Sequence, residues 1–510
     1  MFKQTDKDTQ FDIFGSVSGV LVGESLKEYN NEKGWHNQFR KQVMGRIDES
    51  IFKVLYDNAM GAPNASVSIL MGMMILKEAF GWSDAVMFDN CRFNLLVRSA
   101  LGLFNLNDSL PAPSTYYLLR SRMYNYNKLH GVDLMAKTFE AITAGQSKTL
   151  KVNGESIRMD SKLISSNIAF YSRYEIIHRT LLKFLKSVDT ALFKKLSGDE
   201  RALIESLQSE DSQKTVYRST KDQLTKGLIP IGLLIVRLLK LYRGTLYKAE
   251  EYQLLRRVFL EQYEMDGPHR VKLLDNEKIA SSSVQSPDDP DATYRNKGDQ
   301  KVKGYSVNVT ETVSDKGYLD LITDVEVKKA NTTDKAFVKD AIKATSQVTG
   351  QPVKRVYADG AYQSPSNDKS GIDMVYTGIQ GASPRYVPEL RKNKLTITDS
   401  QTGERIQATP TKRGKDGKIR SWSFQDSEGK RRYISKDAIR SSGKRTEMMQ
   451  RPPEELRKRN NVEATIFLLS HPLRNAKTKY RGLYKQQAWA YCRCLWINLV
   501  RIVNFEMQTC

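Results

Sequence analysis

The sequence has few of the residues that build disulfide-bonded or metal-binding scaffolds. Its 510 residues include only four cysteines and five histidines. Four cysteines are too few for a disulfide scaffold of this length, and reduced thiols in a cytoplasm fit them better. Cys492 and Cys494 stand too close together on a predicted helix for both to bind one metal ion, and the histidines are scattered without ligand spacing. A zinc-type site built from Cys and His is therefore not expected.

Long hydrophobic runs and an export signal are also missing. No apolar run reaches the ~18 residues that a membrane span needs, and the N-terminus lacks the apolar segment of a signal peptide. The sequence therefore predicts a cytoplasmic protein with no membrane partner. Apolar residues still make up 40% of the chain, which excludes a disordered protein. At roughly 100–200 residues per domain, the length predicts about two to four structural units.

Positive charge is what the chain has in excess. Its 80 Lys and Arg against 58 Asp and Glu give a formal net charge of +22, for which nucleic acid is the first expected partner. Half of this excess lies in residues 385–459, which hold 21 basic and 10 acidic residues. Basic and β-type apolar residues alternate there between glycine-containing turns, a pattern that predicts a small sheet of hairpins.

This basic segment has two interpretations. A solvated loop surface explains most charged runs, whereas a basic sheet face suits contact with a phosphate backbone. We favour the second interpretation, because the charges alternate with residues typical of strands. The cations expected to contact DNA here are Lys412, Arg413, Lys415, Lys418 and Arg420.

Residues 36–148 are predicted to be mainly helical. One helix, capped by Ser114 or Thr115, carries Arg120 and Arg122 among tyrosines. Such a helix suits the reading of DNA, but the same residues fit a half-exposed face of a helical bundle equally well. Both interpretations stay open at this point.

Two later segments alternate between apolar and polar residues as strands do. Residues 150–160 predict a short hairpin, and residues 304–328 predict a second, antiparallel hairpin. A helix at 334–346 and a short strand at 353–358 follow the second hairpin. The helical stretch between the two hairpins ends at residues 281–289, where Ser, Pro and Asp predict a linker.

Three acidic residues stand at positions that matter for chemistry. Asp160 ends the first predicted strand and Asp359 ends the last, where sheets of α/β proteins build their sites. Glu463 borders the apolar stripe of a C-terminal helix and can point inward. Taken singly, each Asp could form a turn and Glu463 could be an exposed ion-pairing residue. Asp291 and Asp324 are the two rivals that could take the place of Asp160 or Asp359 among these acids.

The order of these features is that of a known type of catalytic core. A strand, hairpin, helix and strand that carry Asp, Asp and then a helical Glu follow the pattern of an RNase H-like fold. Carboxylates in such a core bind two divalent cations through oxygen. The ions, ~4 Å apart, activate a water or a 3′-hydroxyl group and stabilise the leaving oxygen. Without metal ions, the acids would raise one another's pKa.

These segments resemble the DDE transposases of bacterial insertion sequences. Residues 81–103 also look like the helical domain that precedes the core in this group. The resemblance implies that Asp160, Asp359 and Glu463 are the catalytic triad and bind two Mg²⁺ or Mn²⁺ ions. The matching segments are residues 158–167, 288–292, 303–307, 357–362, 459–463 and 480–483.

One signature of this family is incomplete. Arg459 and Glu463 match the pattern Tyr-x2-Arg-x3-Glu-x6-Lys, but Leu456 and Ser470 stand at its Tyr and Lys positions. The departure leaves open which strand-processing pathway is used. The basic residues expected to contact DNA near the site are Arg459, Arg474, Lys477, Lys479 and Arg481.

The sequence thus predicts an α+β multidomain protein, with an RNase H-like mixed-sheet core interrupted by two insertions. A helical, DNA-binding N-terminal domain comprises residues 1–148. The core consists of residues 149–171, 291–370 and 451–510, the helical insertion of residues 172–290, and the basic β-rich insertion of residues 371–450.

The expected function is DNA transposition. The chain would bind the inverted-repeat ends of its insertion sequence, hydrolyse a strand there and join the freed 3′-hydroxyl group to target DNA. Because two ends must meet, we expect a homodimer on double-stranded DNA, in the cytoplasm and nucleoid of a bacterium. The alternatives are a catalytically inactive DNA-binding regulator derived from a transposase and a general nuclease of the same fold.

Overall fold

The structure is a computed structural model of the chain. It describes residues 1–5, 15–57, 63–298, 300–315, 318–368, 370–379, 381, 384–391, 394–414 and 417–508. In these residues, no helix combines the length and the apolar character that crossing a lipid bilayer requires.

Helices dominate the N-terminal part of the chain. They are α1 (Val17–Val20), α2 (Gly23–Asn30), α3 (Trp35–Gln42), α4 (Val67–Phe80), α5 (Asp84–Phe93), α6 (Leu95–Ala100), α7 (Pro113–His130) and α8 (Leu134–Thr149). Helix α4 is apolar on nearly all sides, and its Leu70, Met71 and Ile75 are fully buried. Ser66 caps α4, since its Oγ accepts the N–H of Ile69 at 3.2 Å. An apolar helix of this kind lies inside a core rather than on a surface.

The first strand, β1 (Ser156–Ser165), leads into a second helical unit. This unit consists of α9 (Arg173–Leu185), α10 (Gly198–Ser209), α11 (Ser212–Arg218), α12 (Lys221–Leu246), α13 (Glu250–Gln262), β2 (Tyr263–Met265) and β3 (Val271–Leu273). It has an apolar core of its own, in which Leu181, Phe184, Ile235 and Leu255 are buried.

The hairpin predicted at residues 150–160 is absent. Residues 150–152 instead continue the last turn of α8, and the Val152 N–H donates to the Ser147 carbonyl at 3.0 Å. Lys151 has a φ of 52°, a left-handed conformation of the kind that ends helices. The prediction was wrong because three alternating residues fit the end of a helix as well as they fit a strand.

The segment 281–289 is not a solvated linker. It lacks regular secondary structure, but Asp289 is fully buried. The Asp289 carboxylate accepts hydrogen bonds from the hydroxyl groups of Ser166 and Tyr305. A polar composition predicts a linker only while its side chains stay in water, and here residues 283–287 and Asp289 are buried.

The central sheet is completed after the helical unit. Its further elements are β4 (Thr293–Lys297), β5 (Gln300–Thr312), β6 (Ile322–Lys329), α14 (Val338–Thr349), β7 (Arg355–Ala358), α15 (Pro365–Asp368) and β8 (Asp373–Tyr376). The strand order is β4-β5-β1-β7-β8, and β6 also pairs with β5. Strand β5 is antiparallel to β1 and β6, whereas β7 is parallel to β1 and β8. The predicted second hairpin, helix and strand are confirmed as β5–β6, α14 and β7.

The basic segment forms a separate antiparallel sheet. Its elements are β9 (Tyr386–Arg391), β10 (Lys394–Asp399), β11 (Arg405–Arg413), β12 (Ile419–Gln425), β13 (Arg431–Ser435) and α16 (Lys436–Gln450). Each strand pairs with the next in chain order. Trp422, Phe424 and Ile434 are buried on the face that packs against Ile439 of α16. The predicted sheet of hairpins is confirmed.

The described chain ends in α17 (Pro453–Arg457), α18 (Asn461–Ser470) and α19 (Leu483–Gln508). Helix α19 lies between the N-terminal helices and the central sheet, and its Trp489 and Leu495 share one apolar core with both. The Asn498 side chain fastens α19 to β6. It accepts the Ile322 N–H at 2.8 Å and donates to the Ile322 carbonyl at 2.9 Å.

The two faces of the central sheet differ in chemistry. Ile157 and Met159 of β1 lie in an apolar cluster with residues of α14. Alternate residues of a strand point to opposite faces, so Arg158, Asp160 and Lys162 lie on the other face. Their partners on that face belong to α18 and its neighbours. The charged side chains of β1 therefore meet the C-terminal helices.

Candidate active site

Asp160 and Asp359 lie next to each other where the parallel pairing of β1 and β7 stops. Asp359 follows β7, as predicted. Asp160, predicted to end the first strand, is instead the fifth of the 10 residues of β1, and the prediction was wrong because β1 continues to Ser165 in its pairing with β5.

Strands β1 and β7 pair Arg158 with Tyr357. Two residues further along each segment, the same register places Asp160 beside Asp359. Side chains paired in this way share a face of the sheet. Asp359 begins the turn after β7, where its Oδ1 accepts the Ala361 N–H at 2.8 Å. The two carboxylates thus lie next to each other just beyond the last residues that pair β1 with β7.

Arg459 joins Asp160 to Glu463. Its Nη2 donates to Asp160 Oδ2 at 2.7 Å, and its Nη1 donates to Glu463 Oε1 at 2.6 Å. Arg459 lies just before α18 and Glu463 lies in its first turn, so the two side chains pair across one turn of the chain. Glu463 is thus an exposed ion-pairing residue and does not point into the core. The side chain of Arg459 is 13% exposed and that of Glu463 is 59% exposed. We refer to these three paired side chains as the Arg459 bridge.

Burial raises the pKa of Asp160 above its ordinary value. Arg459 lowers this pKa, as does the Ser161 N–H that donates to Asp160 Oδ1 at 2.8 Å, while the charge of Asp359 raises it further. The net rise means that Arg459 does not fully compensate the negative charge at this point. A cation placed next to both aspartates would do so.

A buried ion network supports β1 beside the site. Arg158 donates to Glu311 of β5 at 2.5 Å and to Asp320 at 2.9 Å. Glu311 also accepts from Arg501 of α19 at 2.6 Å. Burial alone would raise the pKa of Glu311, but Arg501 and Arg158 outweigh it, so this pKa is lowered. The network therefore holds β1, β5 and α19 together as paired charges.

A lysine side chain lies where the signature lysine is missing. Ser470 stands at the Lys position of the signature, and its Oγ accepts a hydrogen bond from Lys162 Nζ at 2.8 Å. Lys162 is two residues after Asp160 on the same face of β1. An ammonium group thus reaches the end of α18 from the strand. We did not predict Lys162 from the sequence, although its spacing from Asp160 was a usable signal.

Leu456, which stands at the Tyr position of the signature, has apolar surroundings. Leu456, in α17, packs against an apolar cluster of Val313, Tyr357 and Val375. It therefore anchors α17 to the edge of the central sheet and presents no polar group to the site.

The site contains some, but not all, of the ligands that a metal ion needs. Carboxylate oxygens such as those of Asp160 and Asp359 are the donors that Mg²⁺ prefers. Across the described segments of the chain, however, no three Asp, Glu, His or Cys side chains are grouped closely enough to hold a metal ion. A guanidinium group lies between Asp160 and Glu463. The two aspartates therefore suit a metal ion, and Glu463 would join them only when the Arg459 bridge opens.

The two rival acids lie elsewhere. Strand β5 pairs Val309 with Asp160 and, at the next position, Thr310 with Asp324 of β6. Neighbouring residues of a strand point to opposite faces, so Asp324 lies on the α14 face, away from Asp160. Asp291 precedes β4, and its side chain is 47% exposed.

The other cations predicted near the site lie on the loop between α18 and α19. The side chains of Arg474, Lys477, Lys479 and Arg481 are exposed. Three of them nevertheless donate to backbone carbonyls that follow β1 or α4, at 3.1 Å for Lys477, 3.0 Å for Lys479 and 2.7 Å for Arg481. These three residues therefore fasten the loop to the core, while their charge remains at the surface.

Arg120 and Arg122 make contacts within the N-terminal helices. Arg120 Nη1 lies 3.8 Å from Asp84 Oδ2, and its guanidinium lies 5.4 Å from the centre of the Tyr116 ring. Arg122 lies over the Tyr56 ring at 5.3 Å. Both residues are half-buried. Their surroundings favour the bundle-face interpretation over the reading of DNA, because side chains paired in this way are not presented to a groove.

The cations of the basic sheet lie at its surface. Lys412, Arg413, Lys418 and Arg420 are exposed and cluster around the connection between β11 and β12. Arg413 Nη1 also donates to the carbonyl of the neighbouring turn residue 417 at 3.1 Å. Lys415, predicted to act with them, lies outside the described residues.

Comparison with known proteins bears on the N-terminal helices. Residues 28–122 match the family model described as a transposase domain (DUF772). No curated protein and no solved structure matches the chain. The matched segment runs from α2 into α7, so it includes Arg120 and Arg122 but none of Asp160, Asp359 and Glu463. This match supports placing the chain in a transposase family.

Proposed function

We propose that the chain is a metal-dependent DNA transposase that works by DDE chemistry. The observation that carries the proposal is the pair of Asp160 and Asp359, just beyond the last paired residues of the parallel strands β1 and β7, with Arg459 bonded to both Asp160 and Glu463. The transposase domain at residues 28–122 supports the same function independently, because it lies outside these acids.

The fold proposed for the catalytic part is RNase H-like. Its support is the order of the elements: β1, the β5–β6 hairpin, α14 and β7 follow one another as expected for such a core. The helical unit 172–290 enters between β1 and the hairpin, and the basic sheet enters between Asp359 and Glu463. In the chain, each insertion therefore lies between two acids of the proposed triad.

In the proposed reaction, Asp160, Asp359 and Glu463 hold two Mg²⁺ or Mn²⁺ ions. Such ions, when bound, activate a water or 3′-hydroxyl group and stabilise the leaving oxygen. Arg158 keeps β1 in place through Glu311, which restricts the movement of Asp160. The ammonium group of Lys162, on the same face of β1, is positioned to bind a phosphate oxygen next to these acids.

The proposed substrates are the inverted-repeat ends of an insertion sequence and a target duplex. The net charge of +22 and the exposed cations of the basic sheet favour contact with the phosphate backbone. Contacts of this kind position DNA without reading its sequence. A homodimer in the cytoplasm of a bacterium would bring two ends together.

A cleavage assay tests this function. Linear DNA carrying the ends of the element is incubated with the full chain in Mg²⁺, in EDTA, and with the variant Glu463→Gln. We expect strand cleavage at the ends in Mg²⁺ only, and none with the variant, while DNA binding by the variant stays near the level of the wild type. Specific binding without cleavage in either Mg²⁺ or Mn²⁺ would instead identify a catalytically inactive DNA-binding regulator.

A further inference from the structure

The Arg459 bridge places a fixed positive charge between two of the proposed metal ligands. Arginine stays protonated in proteins, and its guanidinium here donates to both Asp160 and Glu463. A divalent cation bound by the same two carboxylates would be repelled by this guanidinium at short range. Metal binding by all three acids therefore requires Arg459 to leave.

We propose that DNA binding opens the Arg459 bridge and thereby admits the metal ions, so that DNA and metal bind cooperatively. The inference rests on the proposed function, since it takes the three acids as metal ligands. It adds a regulation of that site: the free protein is held in a form with low metal affinity.

A DNA phosphate is suited to draw Arg459 away. The planar guanidinium binds phosphate through two parallel hydrogen bonds, as it binds carboxylate. Lys458, directly before Arg459, is exposed and would attract the backbone to this point.

The bridge itself is incompletely satisfied. Within the described residues, no acceptor lies in hydrogen-bonding range of the buried Nε of Arg459, and an unpaired buried donor is unfavourable. At the other end of the bridge, Glu463 is 59% exposed, so it can rotate away without breaking the core.

The coupling must act in both directions. If DNA raises the affinity for metal by a given factor, metal raises the affinity for DNA by the same factor. A bridge that served only to stabilise the fold would give no such coupling, because its removal would change stability without changing metal affinity.

The test measures Mn²⁺ binding directly, by electron paramagnetic resonance of the free ion. The full chain is titrated with Mn²⁺, alone and with a duplex that carries one element end. For the wild type, we expect the duplex to tighten Mn²⁺ binding about tenfold or more. For Arg459→Gln, binding without DNA should already be about tenfold tighter than in the wild type, and the duplex should add little.

Three further variants serve as controls. Arg457→Gln removes the same charge two residues away, at an exposed side chain, and should bind Mn²⁺ like the wild type. Arg459→Lys keeps the charge but loses the planar fork, and should give an intermediate affinity, which covers the case in which Arg459→Gln fails to fold. Asp160→Asn should lose Mn²⁺ binding in both states.

The outcomes separate this inference from the proposed function. If the wild type cleaves DNA and binds Mn²⁺, but neither Arg459 variant changes the affinity measured without DNA, the cooperative bridge is wrong and the function stands. If the wild type with its duplex neither binds Mn²⁺ nor cleaves, the function itself is wrong, and the inference is overturned with it.

Discussion

The central sheet carries a group of acidic side chains on each face, and a single cation joins members of each group. On the α18 face, Arg459 joins Asp160 to Glu463. On the α14 face, the acids are Asp324, Glu326 and Asp340. Lys328 joins the last two of them. The composition of the two groups is similar, so composition alone does not distinguish a site from a structural cluster.

On the α14 face, Lys328 Nζ lies 3.0 Å from Glu326 Oε2 and 3.1 Å from Asp340 Oδ2. Burial raises the pKa of Asp324 to about 7, with smaller contributions from Glu326 and Asp340. Among the described residues, Asp324 Oδ2 is buried without a hydrogen-bond partner. Asp324 is therefore half-buried beneath α14, although the side chain of Asp340, on α14 itself, is 59% exposed.

The difference lies in where each group sits along its strands. Asp160 lies within β1, just past the last residue that pairs with the parallel strand β7, and Asp359 follows β7, so their carboxylates lie next to each other. Asp324 lies within the antiparallel β5–β6 hairpin, under a helix. A position where two parallel strands stop pairing, rather than the number of acids, marks the candidate site.

The largest expected difference between the two faces is in cleavage. Asp160→Asn should lower the rate of end cleavage by roughly a thousandfold or more, because it removes a metal ligand. Asp324→Asn, the same change on the opposite face, should leave the rate near that of the wild type. Cleavage of end-carrying DNA in Mg²⁺ measures both variants. Equal losses in the two variants would show that the faces do not differ in function.

A smaller effect is expected from the lysines of the two faces. Lys162→Ala should slow cleavage by roughly a hundredfold, as removal of one donor to a transition state does. Lys328→Ala removes the same charge from the α14 face and should not slow cleavage. The two variants are compared in single-turnover reactions at saturating protein. Cleavage by Lys162→Ala at the wild-type rate would exclude a role for its ammonium group.

DNA affinity should depend on the basic sheet rather than on either acidic group. We consider the variant in which Gln replaces Lys412, Arg413, Lys415, Lys418 and Arg420. Its slope of log K for DNA binding against log salt concentration should be less steep, by ~0.9 for each phosphate that the variant no longer neutralises. The weakening should be similar for end and non-end DNA, since backbone contacts carry no sequence information. Asp160→Asn should keep the wild-type slope. An unaltered slope in the five-residue variant would show that the sheet is a solvated surface.

The smallest effect concerns stability on the α14 face. The pKa of Asp324 is raised to about 7 in the folded protein, so folding favours its neutral carboxyl group. The free energy of unfolding should therefore fall as the pH rises towards that value. Asp324→Asn stays neutral, so its unfolding free energy should exceed that of the wild type by on the order of 1 kcal/mol at about pH 8, and by less at about pH 4.5. Urea unfolding at the two pH values measures this. Asp291→Asn, a half-exposed acid, is the control, and a variant no more stable than the wild type at the higher pH contradicts the prediction.

Local patterns in the sequence were sufficient to predict much of the framework. Alternation over residues 304–328 predicted the β5–β6 hairpin, and alternation with glycine turns predicted the basic sheet. Asp359 could be recognised because the end of its strand is visible in the periodicity of the chain, whereas the strand that carries Asp160 continues to Ser165. Each of these features depends on residues close together in sequence, where backbone preference and side-chain alternation act directly.

Which distant side chains contact one another depends on the tertiary fold. Arg459 and Asp160 are 299 residues apart, and Lys162 and Ser470 are 308 residues apart, so no local pattern could pair them. Asp289 is polar and stands in an irregular segment, yet it is buried because its partners come from other parts of the chain. The local sequence was enough to predict the β5–β6 hairpin, the basic sheet and the place of Asp359 after its strand. The fold decided which cation lies between the acids of the candidate site, because that depends on which distant side chains the packing brings within hydrogen-bonding distance.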